Sequence, residues 1–500
     1  MPLDSDACYR AFTSKDRRFD GRFVTAVVTT GVYCRPGCPA RLPARRNVRF
    51  YPHAAAAEAA GFRPCLRCRP ETSPGTAAWN GTSATVTRAL RLIDEGAMDG
   101  AGVETLAGRL GVTSRWLRQL FTEQLGASPL AVARTRRVHF ARRLLDQTTL
   151  PLVDVAVASG FGSARRLHDA IRATFHRAPG DLRRRQRADQ LPGPNAAVLE
   201  AEGASRFESP ITLRLAARAP FDAEPIVSFF GARAIPGVEQ SAPGRYARSI
   251  RIDGTTGVIE AHTMPGESAL RLVVRLSSRR PLLAVATRVA RLFDLDSDAA
   301  AIAAHLQRDP RLARVMPRAG VRVPGTWDPF EIGVRAMLGQ QISVAGARTL
   351  AGRLVRLCGA PLAMAHESIT HVFPEAAAVA AADLQSIGLP RARQAALRGF
   401  AEAVAERRID FRAMHDLETA VEQLTALPGI GPWAANYIAM RALGEPDAFP
   451  ASDLGVRKAL ARTDGQLPTE REAVAHAAPW RPWRAYAVIA LWTHAPEEES

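Results

Sequence analysis

A chain of 500 residues exceeds what one hydrophobic core organises, so roughly three to five domains are expected. A composition of 47% hydrophobic and 23% charged residues excludes a disordered chain, and the lack of any run of about 18 apolar residues excludes a membrane-spanning helix. The net charge of +17 is carried almost wholly by arginine, which pairs bidentately with phosphate and stacks on bases, so the charge points to nucleic acid or an anionic membrane, and the lack of a basic amphipathic anchor or apolar span disfavours the membrane.

Residues 1–20 carry charges throughout and no apolar stretch, so no secretory leader is expected. The segment up to about residue 76 holds four of the six cysteines, a usage that suits a reducing cytoplasm better than a disulfide framework. Cys8 and Cys358 are read as buried structural thiols. Phe23–Thr30 alternates as a strand does, and Ala54–Gly61 reads as a short helix. Cys34-Arg-Pro-Gly-Cys38 and Cys65-Leu-Arg-Cys68 let each pair hold one side of a tetrahedral ion, and four thiolates suit zinc. Arg35, Arg41, Arg45, Arg46, Arg49, Arg63, Arg67 and Arg69 crowd the same stretch, as a surface facing a polyanion requires. Pro/Gly/Ser-rich breaks follow at Glu71–Asn80 and Arg187–Gly203.

From Thr82 to Arg187 the apolar period is helical and one pattern is written twice. Val103–Ser114 runs on through Leu117, Leu120, Phe121 and Gly126 to Pro129, and Leu152–Ser163 runs on through Leu167, Ile171 and Phe175 to Pro179. Each copy has a small residue (Ala107, Ala156), a turn glycine (Gly111, Gly160) and a serine cap (Ser114, Ser163), which is the pattern of a helix-turn-helix.

Residues 205–280 read as strands at Ile211–Ala217, Tyr246–Ile252, Gly257–His262 and Ala269–Leu276. From Pro281 onward the pattern is helical again, broken by Leu427-Pro-Gly-Ile-Gly-Pro432. Two helices joined by Gly-x-Gly can bring bare N–H groups to a phosphate, so Gly429 and Gly431 are candidate DNA-binding positions. Asp453 precedes a predicted helix from Leu454, where an aspartate serves as a cap.

Thr29-Thr-Gly-Val-Tyr-Cys34-Arg-Pro-Gly-Cys38, Asn47-Val-Arg-Phe-Tyr51 and Ala60-Gly-Phe-Arg-Pro-Cys65-Leu-Arg-Cys68 closely resemble the amino-terminal domain of the Ada family of methyl acceptors and transcriptional activators. The resemblance implies that Cys34, Cys38, Cys65 and Cys68 bind one Zn2+, structural and catalytic at once. It also implies that Cys34 accepts a methyl group from a DNA methyl phosphotriester, and that Arg41 and Arg63 contact the DNA backbone. An ion with four thiolates carries net −2 and falls to −1 on methylation, so DNA binding should strengthen. The double helix-turn-helix resembles the AraC type, whose recognition helices enter successive major grooves. Candidate contacts are Arg115, Arg118 and Gln119 on the first helix, and Arg165, Arg166, His168 and Arg172 on the second.

The hairpin, Pro450-Ala-Ser-Asp453, Trp480-Arg-Pro-Trp483-Arg-Ala-Tyr486, Leu491-Trp492 and Phe330–Val344 look like the AlkA-type 3-methyladenine DNA glycosylase II of the helix-hairpin-helix superfamily. This resemblance covers about residues 205–495. It implies Asp453 as the carboxylate that stabilises an oxocarbenium-like sugar, a base pocket of Trp433, Tyr437 and Trp492, and Gln341 at the wedge position. Trp433 stands where relatives with lyase activity have a lysine, so a monofunctional enzyme is expected. No cysteine follows Cys358, so no iron–sulfur cluster is expected. Hairpin carbonyls of Thr425, Leu427 and Ile430 are a place for a monovalent cation. The Pro-Cys-His-Arg motif of the second Ada acceptor domain does not occur, so no O6-methylguanine repair is expected.

The expected fold is multidomain and mainly α with α+β parts. It comprises a small zinc-binding α/β domain (1–76), an AraC-type double helix-turn-helix (80–187), a strand-rich α+β subdomain (205–285) and an all-α helix-hairpin-helix glycosylase domain (286–496). The expected partners are double-stranded DNA and RNA polymerase, for a monomer in the cytoplasm associated with the nucleoid. The competing reading is a transcription factor whose glycosylase half serves only as a DNA-binding platform.

Overall fold

The computed structural model describes residues 4–16, 19–72, 84–99, 101–183, 209–317, 319–414, 416–461 and 465–493. Of the two Pro/Gly/Ser-rich breaks, the second and all of the first but Glu71 and Thr72 lie outside the described residues. Two compact units form, one from residues 1–218, 251–257 and 269–288, the other from 219–250, 258–268 and 289–500.

The first unit opens with α1 (Ser5–Thr13), started by Asp4, whose carboxylate accepts from the amides of Asp6 and Ala7 at 2.9 and 3.2 Å. Four strands follow: β1 (Val24–Val27), β2 (Val32–Cys34), β3 (Val48–Tyr51) and β4 (Arg63–Pro64), in the sheet order β3-β1-β2-β4. The predicted strand Phe23–Thr30 is confined to Val24–Val27, because the chain turns at Gly31, whose φ of +64° suits glycine. Helix α2 (Ala54–Ala59) connects β3 to β4, and β4 lies parallel to β2 with Tyr33 opposite Pro64. The Cys65 amide donates to the Tyr33 carbonyl at 2.9 Å, so Cys34 and Cys65 leave the sheet side by side.

Helices α3 (Ala84–Asp94), α4 (Val103–Arg109), α5 (Ser114–Leu125), α6 (Pro129–Gln147), α7 (Leu152–Ala158) and α8 (Ala164–Phe175) contain the predicted duplication. Gly111 and Gly160 turn at φ of +67° and +77°. Ser163 caps α8 as predicted, whereas the cap of α5 is Thr113, whose hydroxyl accepts from the Trp116 amide at 3.3 Å and leaves Ser114 as the first helical residue. Leu106, Leu117 and Phe121 fill the first copy, and Val155, Leu167, Ile171 and Phe175 fill the second.

The strand-rich segment is a five-stranded sheet of β5 (Ile211–Ala216), β6 (Glu239–Ala242), β7 (Arg245–Ile252), β8 (Thr255–Thr263) and β9 (Ala269–Leu276), in the order β5-β9-β8-β7-β6. β5 pairs antiparallel with β9 from Ile211↔Val274 to Ala216↔Ala269, and β6 with β7 from Glu239↔Arg248 to Ala242↔Arg245. Helix α9 (Glu224–Ala232) and the edge strand β6 escaped the sequence reading.

Beyond residue 286 the chain is helical, but not all-α as expected: Ala360–His366 and Ile369–Val372 form an antiparallel pair, β10 and β11. The run Ile369-Thr-His-Val372 is a strand because Ile369 packs on buried Ala247 and Val258. Cys8 is buried as expected. Cys358 is only half-buried, since it ends the helix Val344–Cys358. Among the described residues no helix is long and apolar enough to cross a membrane.

A buried ionic cluster organises the second unit. Glu331, on α10 (Pro329–Leu338), accepts from Arg248 of β7 at 2.6 Å and from Arg335 at 2.7 Å, and Arg335 also reaches Glu239 of β6. Burial opposes the Glu331 charge, yet Arg248 and Arg335 outweigh it and hold the carboxyl down to about 2. Replacing Glu331 by Ala leaves two buried guanidiniums to share Glu239 alone and is expected to cost about 3–5 kcal/mol, against at most ~1 kcal/mol for Glu406→Ala in the exposed pair with Arg408. Urea unfolding midpoints of the two variants check this ordering.

Candidate functional site

The first candidate centre is the cysteine quartet of the first unit. The four sulfurs all lie within 4.8 Å of one another, compatible with the roughly 3.8 Å edge of a tetrahedron of Zn–S bonds. Hydrogen bonds to the other three sulfurs, then burial, push the Cys34 thiol up, so four thiolates can coexist there only around a cation. Donor type, number and enclosure therefore fit Zn2+. Exposure does not single out Cys34: it is 4% exposed, and Cys65, at 9%, is the most open of the four.

The loop between Cys34 and Cys38 is pinned by buried Asp20, which accepts from the Gly37 amide at 2.8 Å and the Arg35 guanidinium at 2.7 Å. Sequence reasoning missed Asp20, because it lies 17 positions before Gly37 and belongs to no spaced motif. Of the predicted backbone contacts, Arg41 is exposed and Arg63 half-buried.

On α5, Arg115, Arg118 and Gln119 are exposed, as are Arg165, Arg166 and Arg172 on α8, while His168 is half-buried. Arg118 pairs with Glu104 at 2.7 Å, and Gln119 donates to Glu123 at 2.8 Å. Trp116 stands among the first group, 43% exposed, and was not singled out in the sequence.

The second candidate centre lies in the second unit. The hairpin joins α11 (Leu417–Thr425) to α12 (Pro432–Ile438). Gly429 has φ of +84°, and a Cβ there would come within 2.6 Å of the Ala396 Cβ, so conformation and space both require glycine. Gly431 caps α12 without a side chain and is exposed. Gln341 is exposed at φ of +58°, beside Ile342 and the first residue of the next helix, Val344, which are also exposed. Its neighbour Gln340 donates to the Gly429 carbonyl at 2.9 Å, which ties this loop to the hairpin.

Asp453 caps α13 (Leu454–Ala459) and does more than cap. Its Oδ1 accepts from the Val456 amide at 2.9 Å and from the Trp492 indole at 2.8 Å, and its Oδ2 accepts from the Trp433 indole at 2.9 Å. Three N–H donors on three elements hold one carboxylate rotamer. Trp433 stacks on Tyr437 at 5.3 Å and 8°, and Tyr437 faces Trp492 at 6.2 Å and 45°. The sequence-predicted carboxylate and all three pocket aromatics thus converge. Arg441, which sequence reasoning missed, donates to the Tyr437 hydroxyl at 2.6 Å and to the Gly325 carbonyl at 2.8 Å. It sits in a π-helical turn, Ala439–Leu443, that extends α12.

Comparison with known proteins follows the same order along the chain. Residues 7–71 match the metal binding domain of Ada, 106–185 a helix-turn-helix domain, 212–328 the AlkA N-terminal domain, and 334–484 the HhH-GPD superfamily of base excision DNA repair proteins. Over 495 residues, 99% of this chain and 97% of the relative, it is 45% identical to a probable bifunctional transcriptional activator/DNA repair enzyme AlkA of Mycobacterium tuberculosis. It is 36% identical over 278 residues to DNA-3-methyladenine glycosylase 2 of Escherichia coli, covering 55% of this chain and 94% of that one. It is 39% identical over 144 residues to the bifunctional transcriptional activator/DNA repair enzyme Ada of Escherichia coli, covering 29% of this chain and 38% of that one.

Titration with a mercurial is expected to release about one zinc per chain in step with four thiols. A metal-sensitive dye and a thiol count on the same sample check the stoichiometry, and zinc release uncoupled from thiol modification would contradict it.

Proposed function

The chain belongs to the family of bifunctional transcriptional activator/DNA repair enzymes, and on that premise we propose that it senses methylated DNA phosphates with one half and excises alkylated bases with the other. The modules of this reading span 1–76, 80–187, 205–285 and 286–496. The single observation that carries the excision half is the capture of Asp453 by the indoles of Trp433 and Trp492. A platform that only binds DNA has no need to orient a carboxylate inside an aromatic cleft.

In the sensing half, the Cys34 sulfur attacks the methyl carbon of a phosphotriester. An S–C bond forms, the methyl C–O bond breaks, and the phosphodiester leaves with the electron pair. Zn2+ bound by the quartet supplies the charge that keeps the sulfur a thiolate. Asp20 fixes the loop that follows Cys34, and Arg41 and Arg63 meet the DNA backbone. Loss of one negative charge then favours promoter binding through α5 and α8, with RNA polymerase as the protein partner. The chain acts as a monomer in the cytoplasm, on the nucleoid.

In the excision half, the hairpin amides at Gly429 and Gly431 hold a phosphate, and Gln341 enters the gap left by an everted nucleotide. A monovalent cation at the carbonyls of Thr425, Leu427 and Ile430 would favour the same phosphate. The aromatic cleft receives an electron-poor alkylated base. A ring stacked on both sides needs about 7 Å between flanking faces, so Tyr437 and Trp492, at 6.2 Å and tilted, separate slightly on entry. The N-glycosidic bond breaks with its electrons passing to the cationic base. The Asp453 carboxylate stabilises the cationic sugar while water adds and gives its proton to solvent.

Methylated DNA offered to wild type, Cys34→Ala and Asp453→Asn tests both halves. Cys34→Ala is expected to lose stable self-methylation and keep base release. Asp453→Asn is expected to keep self-methylation and release bases about a hundredfold or more slowly. Peptide mapping of the methylated protein places the methyl on Cys34; a methyl on Cys65 would reassign the acceptor. Borohydride should trap no protein–DNA adduct, because Trp433 has no amine to form one.

A further inference from the structure

The sensing and DNA-binding modules of the first unit are joined through a largely enclosed polar cluster that neither proposed activity uses. Tyr33, fully buried, immediately precedes Cys34 on β2. Its hydroxyl donates to Glu58 Oε1 at 2.9 Å and lies 3.1 Å from His139 Nε2. Glu58 is the one charged side chain of the alanine-rich helix α2. It also meets His139 Nε2 at 3.0 Å through Oε1 and accepts from the Thr135 hydroxyl at 2.6 Å through Oε2. Thr135 and His139 stand one turn apart on α6, the 19-residue helix between the two helix-turn-helix copies. A carboxylate with only 18% of its side chain exposed takes this place only with such partners.

Two independent contacts make the same junction. Ala55 and Ala56 of α2 belong to one hydrophobic core with Leu117, Phe121 and Ala133, and a Cβ added to Gly126, at the end of recognition helix α5, would lie 3.1 Å from that of Ala56. Farther along α6, buried Asp146 pairs with both Arg142 and Arg69, the residue after Cys68. Helix α6 is therefore gripped twice, from either side of the second cysteine pair.

We propose that Glu58 and His139 are positioning residues that lock the zinc module to α6, so that the methylation state of Cys34 is read by both recognition helices in one fixed register. The inference rests on the sensing role above. With the lock intact, relief of charge at the cysteine quartet favours every DNA contact of the rigid pair. With the lock open, the zinc module moves on its own and the gain stays local.

The test uses the full chain with Glu58→Gln, His139→Gln and the milder Thr135→Val, and a duplex selected from a random library by methylated wild-type protein. Expected for Glu58→Gln and His139→Gln are wild-type zinc content and methyl transfer, and about a tenfold smaller gain in duplex affinity on methylation. Thr135→Val, which removes one hydrogen bond and no charge, should lose less and guards against misfolding of the others. Hydrogen exchange on unmethylated protein supplies a second readout: the polar variants should exchange faster in 135–146 and in β2 together. An unchanged methylation gain, or faster exchange in only one of the two segments, overturns the proposal. If wild type accepts no methyl group the sensing role fails, while the exchange measurement still decides whether the lock exists.

Discussion

A negative charge drawn wholly or partly out of water survives only where the fold brings it a cation or a hydrogen-bond donor, and that requirement shapes both units. Glu331 is held between Arg248 and Arg335, Asp453 between two indoles and an amide, Glu58 between Tyr33, Thr135 and His139, and Asp20 between Arg35 and a loop amide. In each case at least one partner comes from another part of the chain, so satisfying the charge also fixes the packing of the elements that carry it. The cysteine quartet is the extreme case, since four neighbouring sulfurs can be anionic together only around a metal ion.

The two candidate centres meet that requirement in opposite ways. The quartet is closed, with all four cysteines buried. The Asp453 cleft is half-open, and its aromatic walls are tied to the carboxylate by their edges, which leaves ring faces to receive a planar ligand.

What was legible in the sequence was whatever local spacing encodes. The cysteine pairs, the doubled helix-turn-helix, the Gly-x-Gly hairpin and the Asp453 cap all show within about a dozen residues of chain, and each forms. Asp20 and the Glu58–His139 contact did not show, because their partners are 15 to 81 positions away and no period links them, and Arg441 did not show because only its contact with Tyr437 is local while its carbonyl partner Gly325 lies 116 positions back. One clue was available: a single carboxylate inside Ala54–Ala59 is unusual enough to demand a buried partner. The hairpin β10–β11 hid for a related reason, since an alanine-rich run reads as helix until tertiary contacts with Ala247 and Val258 override it.

The hydrogen bond from Gln340 to the Gly429 carbonyl fastens the loop that carries Gln341 to the hairpin, with a strength of about 1 kcal/mol, roughly twice thermal energy. A tie of that size opens and closes readily, yet it biases the two loops to move as a pair, so a displacement of one is passed to the other.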